Sequence, residues 1–152
     1  MADTSLYTVP AQIGGEESIL SQTFPVRSPL DGRLLHHCSS ASPAEAIRAV
    51  ESSQLAFPAW AKLPPAQKRD IFLATAANFE SRAEELTKYM IEETGASDFW
   101  ARFNIRLSVD MLKDVAGRIS SIKGEAPILG EEGTSAIVFR EPYGVILGIA
   151  PW

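Results

Sequence analysis

The chain has 152 residues, 45% of them hydrophobic and 22% charged, which suits a globular domain with a core of its own. Fourteen Lys and Arg stand against nineteen Asp and Glu, a net charge of -5 with both signs scattered, so no basic stripe is present to follow a phosphate backbone and no nucleic-acid partner is expected. No uncharged stretch, the run from Tyr143 to Trp152 included, approaches the roughly 20 residues of a membrane-spanning helix, and the single cysteine excludes an internal disulfide, so no membrane and a cytoplasmic location are expected.

Residues 1–22 open on Met1 to Ser5, which carry no basic segment followed by an apolar one, so no secretory signal is evident. Their short apolar pieces around Gly14-Gly15-Glu16-Glu17 read as a flexible arm or a loose hairpin. Next come two extended pieces, Phe24-Pro25-Val26-Arg27 and Arg33-Leu34-Leu35-His36-His37-Cys38, around the turn Ser28-Pro29-Leu30-Asp31-Gly32, which predicts a small surface hairpin. Ser42-Pro43-Ala44-Glu45 opens a helix. Ser42 can cap it, Pro43 suits the first helical position, and Glu45 completes a capping box.

That first helix places Ile47, Val50, Leu55 and Phe57 as apolar points and is expected to end near Trp60, before Pro64-Pro65. Pro65 starts a second helix with Ile71, Phe72, Thr75 and Phe79 on one side. Ser81-Arg82-Ala83-Glu84 reads as another capping box, opening a third helix through Leu86, Tyr89 and Met90 that Gly95 stops. A fourth helical pattern runs from Ser97 to Ile122 with Phe99, Phe103, Leu107, Met111, Val115 and Ile119, and Gly117 is its weak point. Thr134-Ser135-Ala136-Ile137-Val138-Phe139-Arg140 predicts a strand. So does the β-branched run from Val145 to Ala150, bounded by Pro142-Tyr143-Gly144 and Pro151, whose apolar character suits burial on both faces of a parallel sheet.

Four segments in this order carry a family resemblance. Arg140-Glu141-Pro142-Tyr143-Gly144-Val145 through Ile149-Ala150-Pro151-Trp152 resembles the R-E-P-x-G-V-x-x-x-I-x-P-W segment of the NAD(P)-dependent aldehyde dehydrogenase superfamily. Ser28-Pro29-Leu30-Asp31-Gly32 is similar to the family's early N-P-x-x-G turn, Ala56-Phe57-Pro58-Ala59-Trp60 to its A-F-x-x-W, and Glu93-Thr94-Gly95 to its E-T-G-K, with Ala96 where Lys is usual. The tail also resembles the branch acting on aromatic aldehydes such as salicylaldehyde or vanillin.

The resemblance implies an α/β class and a partial aldehyde-dehydrogenase-like fold: an N-terminal arm at 1–22, a hairpin and helical part of the cofactor-binding domain at 23–133, an oligomerisation strand at 134–141, and the first strand of a Rossmann-like dinucleotide fold at 142–152. It implies oxidation of an aldehyde to a carboxylic acid, with hydride passing to NAD or NADP after a cysteine thiolate attacks the carbonyl. The family's nucleophilic Cys, its Glu base and its Gly-rich cofactor turn correspond to positions beyond Trp152, and its oxyanion Asn follows the Pro-Trp pair directly. No catalytic residue is therefore assigned here, and this chain alone is expected neither to turn over nor to bind NAD or NADP. Ile149, Ala150, Pro151 and Trp152 correspond to the strand end that lies against the nicotinamide ribose, although as residues alone they read equally as core and terminus. Phe103 and Leu107 lie on the counterpart of the helix bordering the aldehyde tunnel, where a stripe at helical spacing also reads as core. The stretch from Ser135 to Glu141 would serve homo-oligomerisation, or pairing with a full-length dehydrogenase by strand addition. The latter suits an alternative reading, a naturally short protein with a non-catalytic, partner-binding role.

Cys38 has no cationic neighbour or helix N-terminus in its sequence surroundings to activate it, so it reads as inert and no nucleophile is assigned. His36 and His37 face opposite sides of a strand, and His36 with Cys38 supplies only two ligands, so no metal site is assigned. The adjacent acidic pairs, Glu84-Glu85, Glu92-Glu93 and Glu131-Glu132, diverge by about 100° wherever they are helical and read as solvated faces.

Overall fold

The computed structural model describes residues 7–150. Five short strands precede four helices: β1 (Thr8–Val9), β2 (Ala11–Ile13), β3 (Glu16–Ser18), β4 (Gln22–Arg27), β5 (Leu34–Ser40), α1 (Pro43–Lys62), α2 (Pro65–Ser81), α3 (Ala83–Thr94) and α4 (Asp98–Ile119). The arm is a hairpin: β2 and β3 pair antiparallel, Ile13 opposite Glu16, around Gly14 and Gly15, whose φ values of 67° and 83° meet the demand of a two-residue type I′ loop. Its Gly14 lies close to Ser52 of α1, which seats the hairpin against that helix.

The expected second hairpin is also present, as part of a three-stranded sheet. β5 is central, antiparallel to β4 and parallel to β1, with Phe24 and Val9 both opposite Cys38. Pro25 is tolerated because β4 is an edge strand among the described residues. The turn closes through Gly32 N donating to Ser28 O at 2.9 Å and Ser28 N to Arg33 O at 3.0 Å, with Ser28 buried.

The first helix begins as its residues dictate. Glu45 N donates to Ser42 Oγ, and Ser42 N donates to Glu45 Oε2 at 2.7 Å, the complete capping box. The helix continues through Pro58 to Lys62, two residues beyond the expected end. The box expected at Ser81 does not form. Ser81 still belongs to α2, and its hydroxyl donates back to Asn78 O at 3.0 Å, so α3 starts from Arg82 with no side-chain cap. Gly95 ends α3 in the left-handed region at φ 71°, as expected, and its amide donates to Ile91 O. Ser97 caps α4 by accepting from Trp100 N, and the helix passes Gly117 before stopping at Ile119, short of Ile122.

The core lies between α4 and the pair α2 and α3, and it is built from small side chains: Ala76, Thr87, Ala101, Val109 and Ala116 are buried there. Small residues let the helix backbones approach closely. α1 buries none of its residues, and Ile47, Val50, Leu55 and Trp60 are exposed.

Beyond α4 the chain forms no strand ladder among the described residues. In the stretch expected as the oligomerisation strand, one antiparallel bridge joins Val138 to Glu125, with both backbone bonds formed at 2.8 and 3.0 Å. Gly124 is required there, because a Cβ would lie 2.5 Å from Val138 O. Residues 145–150 pair with nothing, and Ile146, Leu147 and Ile149 face solvent. A strand pattern describes side chains that suit a sheet. It becomes a strand only when neighbouring strands supply the ladder bonds, and no described strand pairs with this run.

Candidate functional site

The outer face of α4 is the most developed candidate surface. Phe99, Phe103, Leu107, Met111 and Val115 recur every fourth residue, and all five are exposed. At about 100° per residue they fall on the side opposite Ala101, Val109 and Ala116, which face the other helices. At this spacing the stripe also reads as core, yet in the structure it is exposed. The alanines make the inner contact and the large residues look outward. A helix that is apolar on two opposite faces is built to be covered on both.

Phe103, expected at the tunnel wall, stacks on Trp100 with ring centroids 5.4 Å apart and planes inclined by 26°. Trp100 in turn lines a small cavity with Met90, Thr94 and Ala96 at the end of α3, so the ring under Phe103 is itself positioned by the helix junction. Trp100 is a site residue that the sequence patterns above do not pick out. Its spacing of three from Phe103, the i,i+3 relation that brings helical side chains together, was the signal available.

Ile149 and Ala150 lie elsewhere, and Pro151 and Trp152 fall outside the described residues. The segment just before them approaches α1: Gly144, Val145 and Ile146 line a cleft of about 370 Å³ with Ser53, Ala56, Phe57 and Trp60. None of the clefts described here joins Ile149 or Ala150 to Phe103 or Leu107. A dinucleotide needs a turn that cradles its pyrophosphate as well as a wall for its nicotinamide ribose. Exposed Ile149 and Ala150 fit the second role only, as one apolar wall.

A groove of about 520 Å³ runs between α4 and the α2–α3 junction, lined by Glu80, Thr87, Arg102, Ile105, Arg106 and Asp110 among others. Arg102 and Glu80 are taken up in ion pairs, whereas Arg106 stands 3.9 Å from Asp110 and is largely exposed. Arg102 donates to Glu84 at 2.6 and 3.0 Å and to Asp98 at 2.9 and 3.0 Å, and Lys113 donates to Glu80 at 2.6 Å. The Arg102 bonds hold the Glu84 carboxyl below its ordinary range, and the two carboxylates raise the guanidinium above its own. Nearby, Arg82 and then Tyr89 donate to Glu85 and lower it to about 2. These networks tie α2, α3 and α4 together.

Cys38 is half-buried on β5, and its Sγ lies 3.7 Å from Ser39 O. His36 Nε2 stands 3.5 Å from Glu93 Oε1 of α3, while Arg33 donates to the adjacent Glu92 at 2.9 Å, so both acidic residues face the sheet rather than a metal. No group of three or more His, Cys, Asp or Glu side chains suited to a metal ion occurs among the described residues.

Comparison with known proteins places this geometry. The profile of the aldehyde dehydrogenase family matches residues 16–152. A vanillin dehydrogenase of Pseudomonas sp. (strain HR199 / DSM 7063) is 39% identical over 149 residues, covering 97% of this chain and 31% of its own length. A salicylaldehyde dehydrogenase of Pseudomonas putida is 30% identical over 131 residues, 86% of this chain and 27% of its own. Among solved structures, the salicylaldehyde dehydrogenase of Pseudomonas putida G7 complexed with salicylaldehyde superposes with a TM-score of 0.82 at 26% identity, over 89% of this chain and 28% of that one. An indole-3-acetaldehyde dehydrogenase of P. syringae in complex with NAD+ gives 0.83 at 29% identity, over 93% and 29%. The chain thus spans about 30% of the length of the curated relatives it matches.

Proposed function

The chain belongs to the aldehyde dehydrogenase family, and from that premise we propose that it works as the N-terminal part of an enzyme oxidising an aldehyde to a carboxylic acid with NAD or NADP. The observation that carries this reading is α4, a helix whose second apolar face is covered by none of the described residues. In the whole enzyme that face, with Phe103 and Leu107, borders the path of the aldehyde. The segment 142–152 enters the dinucleotide sheet as its first strand, with Ile149, Ala150, Pro151 and Trp152 beside the nicotinamide ribose, and 134–141 pairs between subunits. An aromatic aldehyde is the substrate class, supported by the vanillin and salicylaldehyde dehydrogenases among the relatives and by the stacked Trp100 and Phe103.

The chain by itself holds one wall of a cofactor site and no assigned catalytic residue, so it is inactive alone. Isolated chain incubated with NAD or NADP and vanillin, salicylaldehyde or benzaldehyde is expected to form no reduced cofactor. Saturable formation that scales with chain concentration and survives Cys38→Ala would sink this reading. The alternative, a short protein with a purely partner-binding role, is favoured by the single-bridged stretch around Val138, which leaves backbone groups free for strand addition. The intact mass of the native protein separates the two. A polypeptide about three times this length supports the enzyme, and one of 16.5 kDa supports the binding module.

A further inference from the structure

We draw no further inference here: the strongest candidate, the groove between α4 and the α2–α3 junction, carries none, because Arg102 and Glu80 on its rim are taken up in ion pairs and nothing in the structure shows what covers it.

Discussion

Ser42 and Gly95 carry more of this fold than their size suggests, because each satisfies backbone groups at a helix end. Ser42→Ala removes the acceptor for Glu45 N and is expected to cost about 1 kcal/mol. Gly95→Ala is worse placed: the residue sits at φ 71°, and its new Cβ would meet Pro29 Cγ at 3.1 Å beneath the β4–β5 turn. A cost of roughly 1–2 kcal/mol is expected from the backbone alone. Denaturant unfolding followed by helical circular dichroism should rank Gly95→Ala below Ser42→Ala. The reverse order would mean that the turn over Gly95 gives way freely. Both residues were legible in the sequence because their partners lie within four positions. The Ser81 box was misread for a local reason too, since α2 runs through that serine and its hydroxyl bonds backwards to Asn78. Nothing in a four-residue motif says whether the preceding helix has ended.

At the scale of elements, the helices are bound by exposed ion pairs over a thin layer of alanines. Glu85 sits at about 2, below its ordinary 4.5, because Arg82 and Tyr89 donate to it. A depressed carboxyl contributes its full stabilisation above the ordinary value and loses it as pH falls through about 2. Between pH 4.5 and 2 the helical signal should therefore decline less steeply in Glu85→Gln than in the wild type. The difference should be small and should shrink in high salt, since the pair is exposed. Identical acid profiles at low salt would remove Glu85 from the account. The two faces of α4 show where sequence reading ran out. Spacing located the stripe of Phe99, Phe103, Leu107, Met111 and Val115 correctly, but a period cannot say what covers a face. Ala101 and Ala116, too small to stand out in a hydrophobic pattern, make the actual contact. The stretches 134–140 and 145–150 read as strands by composition for the same reason that they lack ladders here: composition is local and pairing is not.

For the whole molecule, the area that stays exposed is the deciding quantity. A chain with this content of apolar residues ordinarily folds to hide them, yet among the described residues the buried apolar side chains are three alanines, Val109 and Leu20, and no large side chain is fully buried. On the reading proposed above, four helices and a small sheet form one layer of a larger fold, and the exposed apolar sides of α1, α4 and the run near the C-terminus are faces that such a fold would cover. The most direct test is sedimentation velocity of the isolated 152-residue chain across a concentration series. The account predicts concentration-dependent association, with no sharp boundary at the monomer mass. A single compact 16.5 kDa monomer at every concentration would contradict it, because such a particle would have to bury the very faces on which the account depends.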